Sequence, residues 1–353
     1  MNANFYTSRH KSKIINHYCL TWLVLISLIL ISGCKINSNI QSTHIILTES
    51  PALTVDSTPT FLYQLTYMSN DIEGYDSVFS IDIGCLENEK PCMSEPKLLF
   101  KMPYGEKPGA PIGYPQWSPD GGYVSICAVG NNGQADIFVA NINKKDWRNI
   151  TDTPIYECET RWLPDGQQLI YLASSFELYQ GSRVFSVTPF GGERIQLLKL
   201  ADKDAVEISL SPDGKKIAFT SQGDNGFEQL FISNLDGSNL VQLTSEYADH
   251  LTPTFSPDGQ HIAFEREFDT DSPNSQIVVL ELDDNSEIEI GQDLNGIKTW
   301  LSWAPIGDWI AFSSNADGDY EIYLINLKSN TIHKVTSSNK DELFPEWRFV
   351  GGY

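Results

Sequence analysis

The chain has 353 residues, of which 41% are hydrophobic and 11% aromatic, enough apolar surface to close a large core. Its 46 acidic residues outnumber 24 basic ones, for a formal net charge of −22. A surface this acidic repels phosphate backbones and no basic stripe interrupts it, so nucleic acid is excluded as a partner; the charge serves solubility first and favours basic partners second.

The first segment reads as an export signal. Arg9, Lys11 and Lys13 precede an apolar run over residues 20–31, broken only by Thr21 and Ser27, and the small residues Ser32 and Gly33 follow. The run is short for a spanning helix and fits a secretory signal, with an uncleaved membrane anchor as the competing reading. Ile31-Ser32-Gly33-Cys34 resembles a lipobox, which implies that Cys34 is lipidated and becomes the first residue of the mature chain. Residues 35–60 are rich in Ser, Thr, Asn and Pro and read as a flexible tether. The expected domains are a signal over 1–33, a tether over 34–60 and a folded unit over 61–353.

Cys19 leaves with the signal, and Cys85, Cys92, Cys127 and Cys158 remain. An even number in an oxidising compartment predicts two disulfides. Cys85–Cys92 would staple a loop near the start of the folded unit, and Cys127–Cys158 would join the end of one strand to the segment entering the next repeat. The spacings fit no zinc signature, so neither metal nor cofactor is expected.

After residue 60 there is no helical periodicity, only short apolar runs between Gly, Pro, Asn and Asp clusters, which reads as all-β. One motif recurs: Trp117-Ser118-Pro119-Asp120-Gly121, Trp162-Leu163-Pro164-Asp165-Gly166, Leu210-Ser211-Pro212-Asp213-Gly214, Phe255-Ser256-Pro257-Asp258-Gly259 and a decayed Trp303-Ala304-Pro305-Ile306-Gly307. The glycines lie 45, 48, 45 and 48 residues apart. Two apolar runs follow each copy, and several repeats close on a pair such as Ile150-Thr151, Leu243-Thr244 or Val335-Thr336. A period near 45 with four strands is the blade of a β-propeller. Pro presets φ, Asp bonds its own backbone and Gly takes positive φ, so the motif makes a tight turn and its Asp residues are structural. Pro345-Glu346-Trp347-Arg348-Phe349 repeats only the strand before the turn, with Trp347 lying 44 residues after Trp303. The simplest closure puts this strand beside the strands near residues 61–68 and 77–81, giving six blades and no free sheet edge.

Trp-Ser-Pro-Asp-Gly followed by Ile-Ala-Phe, as in Ile217-Ala218-Phe219 and Ile262-Ala263-Phe264, resembles the TolB propeller repeat over about residues 61–353. Related repeats occur in the propellers of prolyl-oligopeptidase-type peptidases. The resemblance implies the fold; because TolB carries an α/β domain where this chain has the tether, it does not transfer the Tol-Pal role. Peptidases of this kind carry a Gly-x-Ser-x-Gly elbow, and none occurs here.

Histidines are sparse: His44 falls in the tether, His261 after a turn, His333 in an outer-strand pattern, and only His250 near a channel mouth. Asn315-Ala316-Asp317-Gly318-Asp319 faintly resembles a calcium loop but reads as turn chemistry. The candidate site is the rim where segments enter the inner strands. Asp204, Asp249 and Asp341 recur six residues before Leu210, Phe255 and Trp347, with Glu157, Arg161, Glu207, His250, Lys298, Glu342 and Glu346 nearby. The leading expectation is a monomeric, membrane-tethered binding module that presents this acidic mouth to a protein or cell-envelope partner, a basic one in particular. A channel enzyme acting on carbohydrate or peptide and a pure scaffold are the alternatives. Lys35 after the lipid Cys, where an Asp would resemble an inner-membrane retention signal, places the protein on the periplasmic side of an outer membrane where the cell has one.

Overall fold

The structure, a computed structural model, describes residues 61–70, 76–87, 90–101, 113–130, 133–144, 146–174, 183–199, 204–268 and 274–350. The signal, Cys34, His44 and the tether lie outside the described residues. Every described element is a strand, and the strands form six antiparallel sheets. In five of them, four strands follow one another in sequence order. We number the blades from the N-terminal sheet, so that blade 2 begins the run of complete repeats.

The first strands of blades 2 to 6 are Gly113–Trp117, Tyr156–Trp162, Ile208–Leu210, Asp249–Phe255 and Lys298–Trp303. Each touches the first strand of the next blade, and Lys298–Trp303 touches Leu343–Phe349, which in turn touches Gly113–Trp117. That closed circuit makes them the inner ring of a six-bladed propeller. Leu343–Phe349 pairs with Phe61–Asn70, placing Trp347 opposite Leu65, and so completes blade 1 from both ends of the chain.

The repeated turn is held as its sequence dictates. Ser211 Oγ donates to Asp213 (2.7 Å) and accepts the N–H of Lys216 (2.9 Å), while Asp213 accepts the N–H of Lys215 (3.1 Å). Gly214 sits at φ +71°, and a Cβ there would lie 2.8 Å from Pro164 Cδ of the preceding blade's turn. The decayed copy in blade 6 has neither Ser nor Asp; there the Trp303 indole donates to Gly307 O at 2.7 Å. Other anchoring indoles reach across seams, from Trp117 to Thr66 Oγ1 (2.9 Å), Trp162 to Ser125 Oγ (3.1 Å) and Trp347 to Ser302 O (3.1 Å). The closing Thr of the repeats also has a function in the fold. The hydroxyls of Thr151, Thr244 and Thr336 each accept a third-strand N–H, from Ile137, Leu230 and Ile322, at 2.9 Å.

The core lies between blades. Leu65, Ile81, Trp309, Leu324 and Trp347 pack together across the closing seam, while Ile217, Phe219 and Ile170 do so between blades 3 and 4. Both expected disulfides are present, with Cα–Cα distances of 5.3 Å for Cys85–Cys92 and 5.1 Å for Cys127–Cys158. The second runs from the second strand of blade 2 to the inner strand of blade 3.

Candidate functional site at the channel mouth

Inner strands run from one face of the disc to the other and end at the Pro-Asp-Gly turns. Their starting ends therefore define one mouth of the channel, and the turns define the opposite end. Aligning the blades on Trp117, Trp162, Leu210, Phe255, Trp303 and Trp347 shows which columns face the axis. One residue before the anchor stand Gln116, Arg161, Ser209, Thr254, Ser302 and Glu346. Three before it, blades 3 to 6 and blade 1 contribute Glu159, Glu207, Thr252, Trp300 and Phe344.

Glu159, Thr252, Trp300 and Phe344 have φ of 56°, 50°, 53° and 58°. Each lies where its inner strand slips register against the second strand, so these are β-bulges. Positive φ is uncommon for residues with a Cβ and costs roughly 1–3 kcal/mol in each instance, yet it recurs around one axis. A bulge re-aims its side chain, and here all four residues line a central cavity of about 40 Å3. Toward the turns the channel widens to about 310 Å3, lined by residues such as Ser209, Thr254 and Ser302.

Charge concentrates at this constriction. Arg161 lies 3.9 Å from Glu159 and donates to Thr160 O at 2.7 Å. Burial pushes the Glu346 carboxyl up to about 7, against the pull of Arg161, Ser302 and Gln116. Burial likewise raises Glu207 to about 7, although it accepts the backbone N–H of Thr252 and feels Arg161. Three carboxyls from blades 1, 3 and 4 thus surround one guanidinium, with the Trp300 and Phe344 rings 4.4 Å apart beside them.

Of the rim residues expected from sequence, Arg161, Glu207 and Glu346 meet in the channel. The others serve the blade edges. Asp249 accepts the N–H of Glu228 (2.8 Å) and Asp341 that of Tyr320 (3.0 Å), so each clips the entry to an inner strand to the start of the third strand of the blade before it. His250 is fully buried, stacked obliquely on Phe264, and burial lowers its pKa. Lys298 is buried too and donates to Ser275 O (2.8 Å) and Gly296 O (3.1 Å). Glu157 is buried against Arg194 at 2.8 Å, and burial raises Glu342 to about 7. Asp204 is half-exposed just ahead of the blade 4 inner strand. In the calcium-like loop, Asp317 receives Lys334 (2.9 Å) and the Tyr323 hydroxyl (2.8 Å), and Asn315 accepts the N–H of Ile297 (2.8 Å).

Gln116, Glu159, Thr252, Trp300 and Phe344 were missed by sequence reasoning. Counting back one and three residues from each anchor would have found them.

The sequence signature described as the TolB beta propeller domain matches residues 104–250 and 225–352. The chain belongs to this TolB β-propeller family. A Protein TolB homolog of Chlorobium luteolum is 31% identical over 134 residues, which is 38% of this chain and 29% of the relative. The uncharacterized peptidase YuxL of Bacillus subtilis is 26% identical over 156 residues, 42% of this chain and 21% of the relative. The chain thus spans under a third of the length of either. The crystal structure of TolB from Acinetobacter baumannii superposes with a TM-score of 0.63 at 16% identity, over 81% of this chain and 67% of the other. That likeness shows the shared fold.

Proposed function

We propose that the chain is a lipid-tethered, extracytoplasmic interaction module that presents the strand-start mouth of its channel to a protein of the cell envelope. The observation that carries this reading is the bulged ring. Four strained residues converge on a charged constriction, and such outliers persist where the surrounding structure holds them for a purpose. The constriction has room for a few waters, far less than a sugar ring or a peptide needs. At the strand-start mouth a partner would therefore meet a surface rather than a pocket. The names of relatives agree with an envelope setting, among them a Tol-Pal system protein TolB of Desulfosudis oleivorans, 28% identical over 123 residues. The tether is supported by Ile31-Ser32-Gly33-Cys34, since two acyl chains anchor a protein stably where one does not.

The test is a cross-linked pull-down of the full chain from native membranes, alongside Arg161→Ala, Glu346→Ala and Cys34→Ser. We expect an envelope protein that wild type recovers and the channel variants lose while keeping the all-β circular dichroism spectrum of wild type. Cys34→Ser should leave the membrane or remain unprocessed. Equal recovery by the channel variants overturns the mouth, and a processed, membrane-bound Cys34→Ser protein overturns the tether.

A further inference from the structure

The strand-start face is not uniform. In the sector of blades 4 and 5 it gathers three segments: residues 223–227, which join the second and third strands of blade 4; residues 243–248, which enter blade 5; and Phe268, just past the second strand of blade 5. By strand direction all three lie on the same side of the disc as the mouth.

Tyr247 stands there 77% exposed, the highest value among the large hydrophobic side chains described. Its loop is nevertheless firmly held. Asn225 Nδ2 donates to Ser245 O (3.3 Å) and Glu246 O (2.6 Å), and the buried Gln229 donates to Glu246 O (3.1 Å) and Ala248 O (2.9 Å). The Tyr247 ring leans edge-on against Phe227 with centroids 6.0 Å apart. A large aromatic on a braced loop loses little conformational freedom on contact, which is the property of an interface hot spot.

The surrounding charge says what it would contact. Arg266 pairs with Glu246 at 3.2 Å, Glu287 at 2.7 Å and Glu289, and its guanidinium lies 5.2 Å from the ring centre of Phe268, itself 54% exposed. Three carboxylates on one guanidinium leave an excess of negative charge between two exposed rings, and the exposed Asp224 adds to it. Lysine and arginine fit both halves of such a surface, carboxylates taking the cation and ring faces taking the stem or the cation itself.

We propose that this sector docks a lysine- or arginine-bearing segment of a partner protein, its cations held by Glu246, Glu287 and Glu289 and its side-chain stems lying on Tyr247 and Phe268. The assignment rests on the reading of this face as the partner-binding face. A random dodecapeptide library displayed on phage and panned against the purified full chain tests it. Recovered peptides should be enriched in Lys and Arg, and their affinity should fall about tenfold for Tyr247→Ala and for Glu289→Gln. Tyr247 is exposed enough that its removal leaves the fold intact, and an unchanged melting temperature checks this. A library that yields no binder, or binders without basic enrichment, overturns the proposal. Peptides that ignore Tyr247→Ala but are lost with Arg161→Ala overturn this sector while keeping the mouth. Loss of the membrane partner in the Arg161→Ala pull-down decides the mouth independently.

Discussion

The two ends of the channel are built on opposite principles. At the turn end, Ser118–Asp120, Ser211–Asp213 and Ser256–Asp258 make the same hydroxyl-to-carboxylate bond, and prolines of one turn stack on glycines of the next. At the mouth the chemistry changes around the ring: one column runs from the acids Glu159 and Glu207 through Thr252 to the aromatics Trp300 and Phe344. Where every blade repeats itself, the residue is holding the ring together. Where the residue type changes around the ring, the ring has only fixed the position and the side chain is free to serve recognition. Blade 6 shows how far the first class can drift, since an indole in place of the Ser–Asp pair keeps the same turn.

The largest effect should come from breaking the ring at its seam. Trp347 is 6% exposed, packs on blades 1 and 6 and bonds Ser302 O. Trp347→Ala should cost roughly 3–5 kcal/mol in a denaturant titration, a large share of a domain's stability. Deleting residues 343–353 should lower the melting temperature of the whole propeller, and a truncated monomer that melts unchanged would mean the ring closes elsewhere. Next in size are the disulfides. Cys127–Cys158 ties two blades together near the mouth across a separation of 31 residues, and Cys85–Cys92 closes only 7. Loop closure entropy gives the longer link about 3 to 4 kcal/mol and the shorter one less. Paired Cys→Ser variants should melt in that order, and a reversal would show that the links act through native contacts instead.

A finer cut separates turns that look alike. Gly214 and Gly307 both sit at positive φ, where a Cβ costs roughly 1–2 kcal/mol. At Gly214 the new carbon also meets Pro164, whereas nothing lies within 4 Å of Gly307. Gly214→Ala should therefore destabilise more than Gly307→Ala, and equal costs would show that turn-to-turn stacking contributes nothing.

The turn end was legible in the sequence because its residues do local work. Pro, Asp and Gly act within four residues, so they recur at a fixed period and declare the blade count. Closure by Trp347 was legible for the same reason, the anchor repeating even where the turn does not. The mouth was legible only in part. Arg161, Glu207 and Glu346 could be guessed as polar residues near strand starts, but that rule also collected Asp249 and Asp341, which cap backbone N–H groups, and His250 and Lys298, which are buried. An acid that binds a neighbouring strand and an acid that faces the channel look the same in sequence. Distance from the anchor tells them apart: Glu207 and Glu346 stand three and one residues before it, whereas Asp249 and Asp341 stand six before it.

The smallest effect is the one in which the two ends oppose each other. Glu207 and Glu346 are raised by burial from 4.5 to about 7, so between these values the folded protein holds protons that the unfolded chain has released. Their contribution is fully present below pH 4.5 and is lost as pH rises through 7. At the turn end the sense reverses. Serine hydroxyl bonds lower Asp120, Asp213 and Asp258 below 3.8, so their contribution is present above 3.8 and fades as pH falls further. Melting temperature at constant ionic strength should thus climb as pH is lowered from about 8 toward about 5, and drop below about 4. Glu346→Gln, alone and with Glu207→Gln, should flatten the neutral limb and leave the acid limb in place; Ser118→Ala and Ser256→Ala should soften the acid limb alone. If Glu346→Gln leaves the neutral slope as steep as in wild type, the channel carboxyls are ionised at neutral pH and the constriction is wetter than its geometry implies.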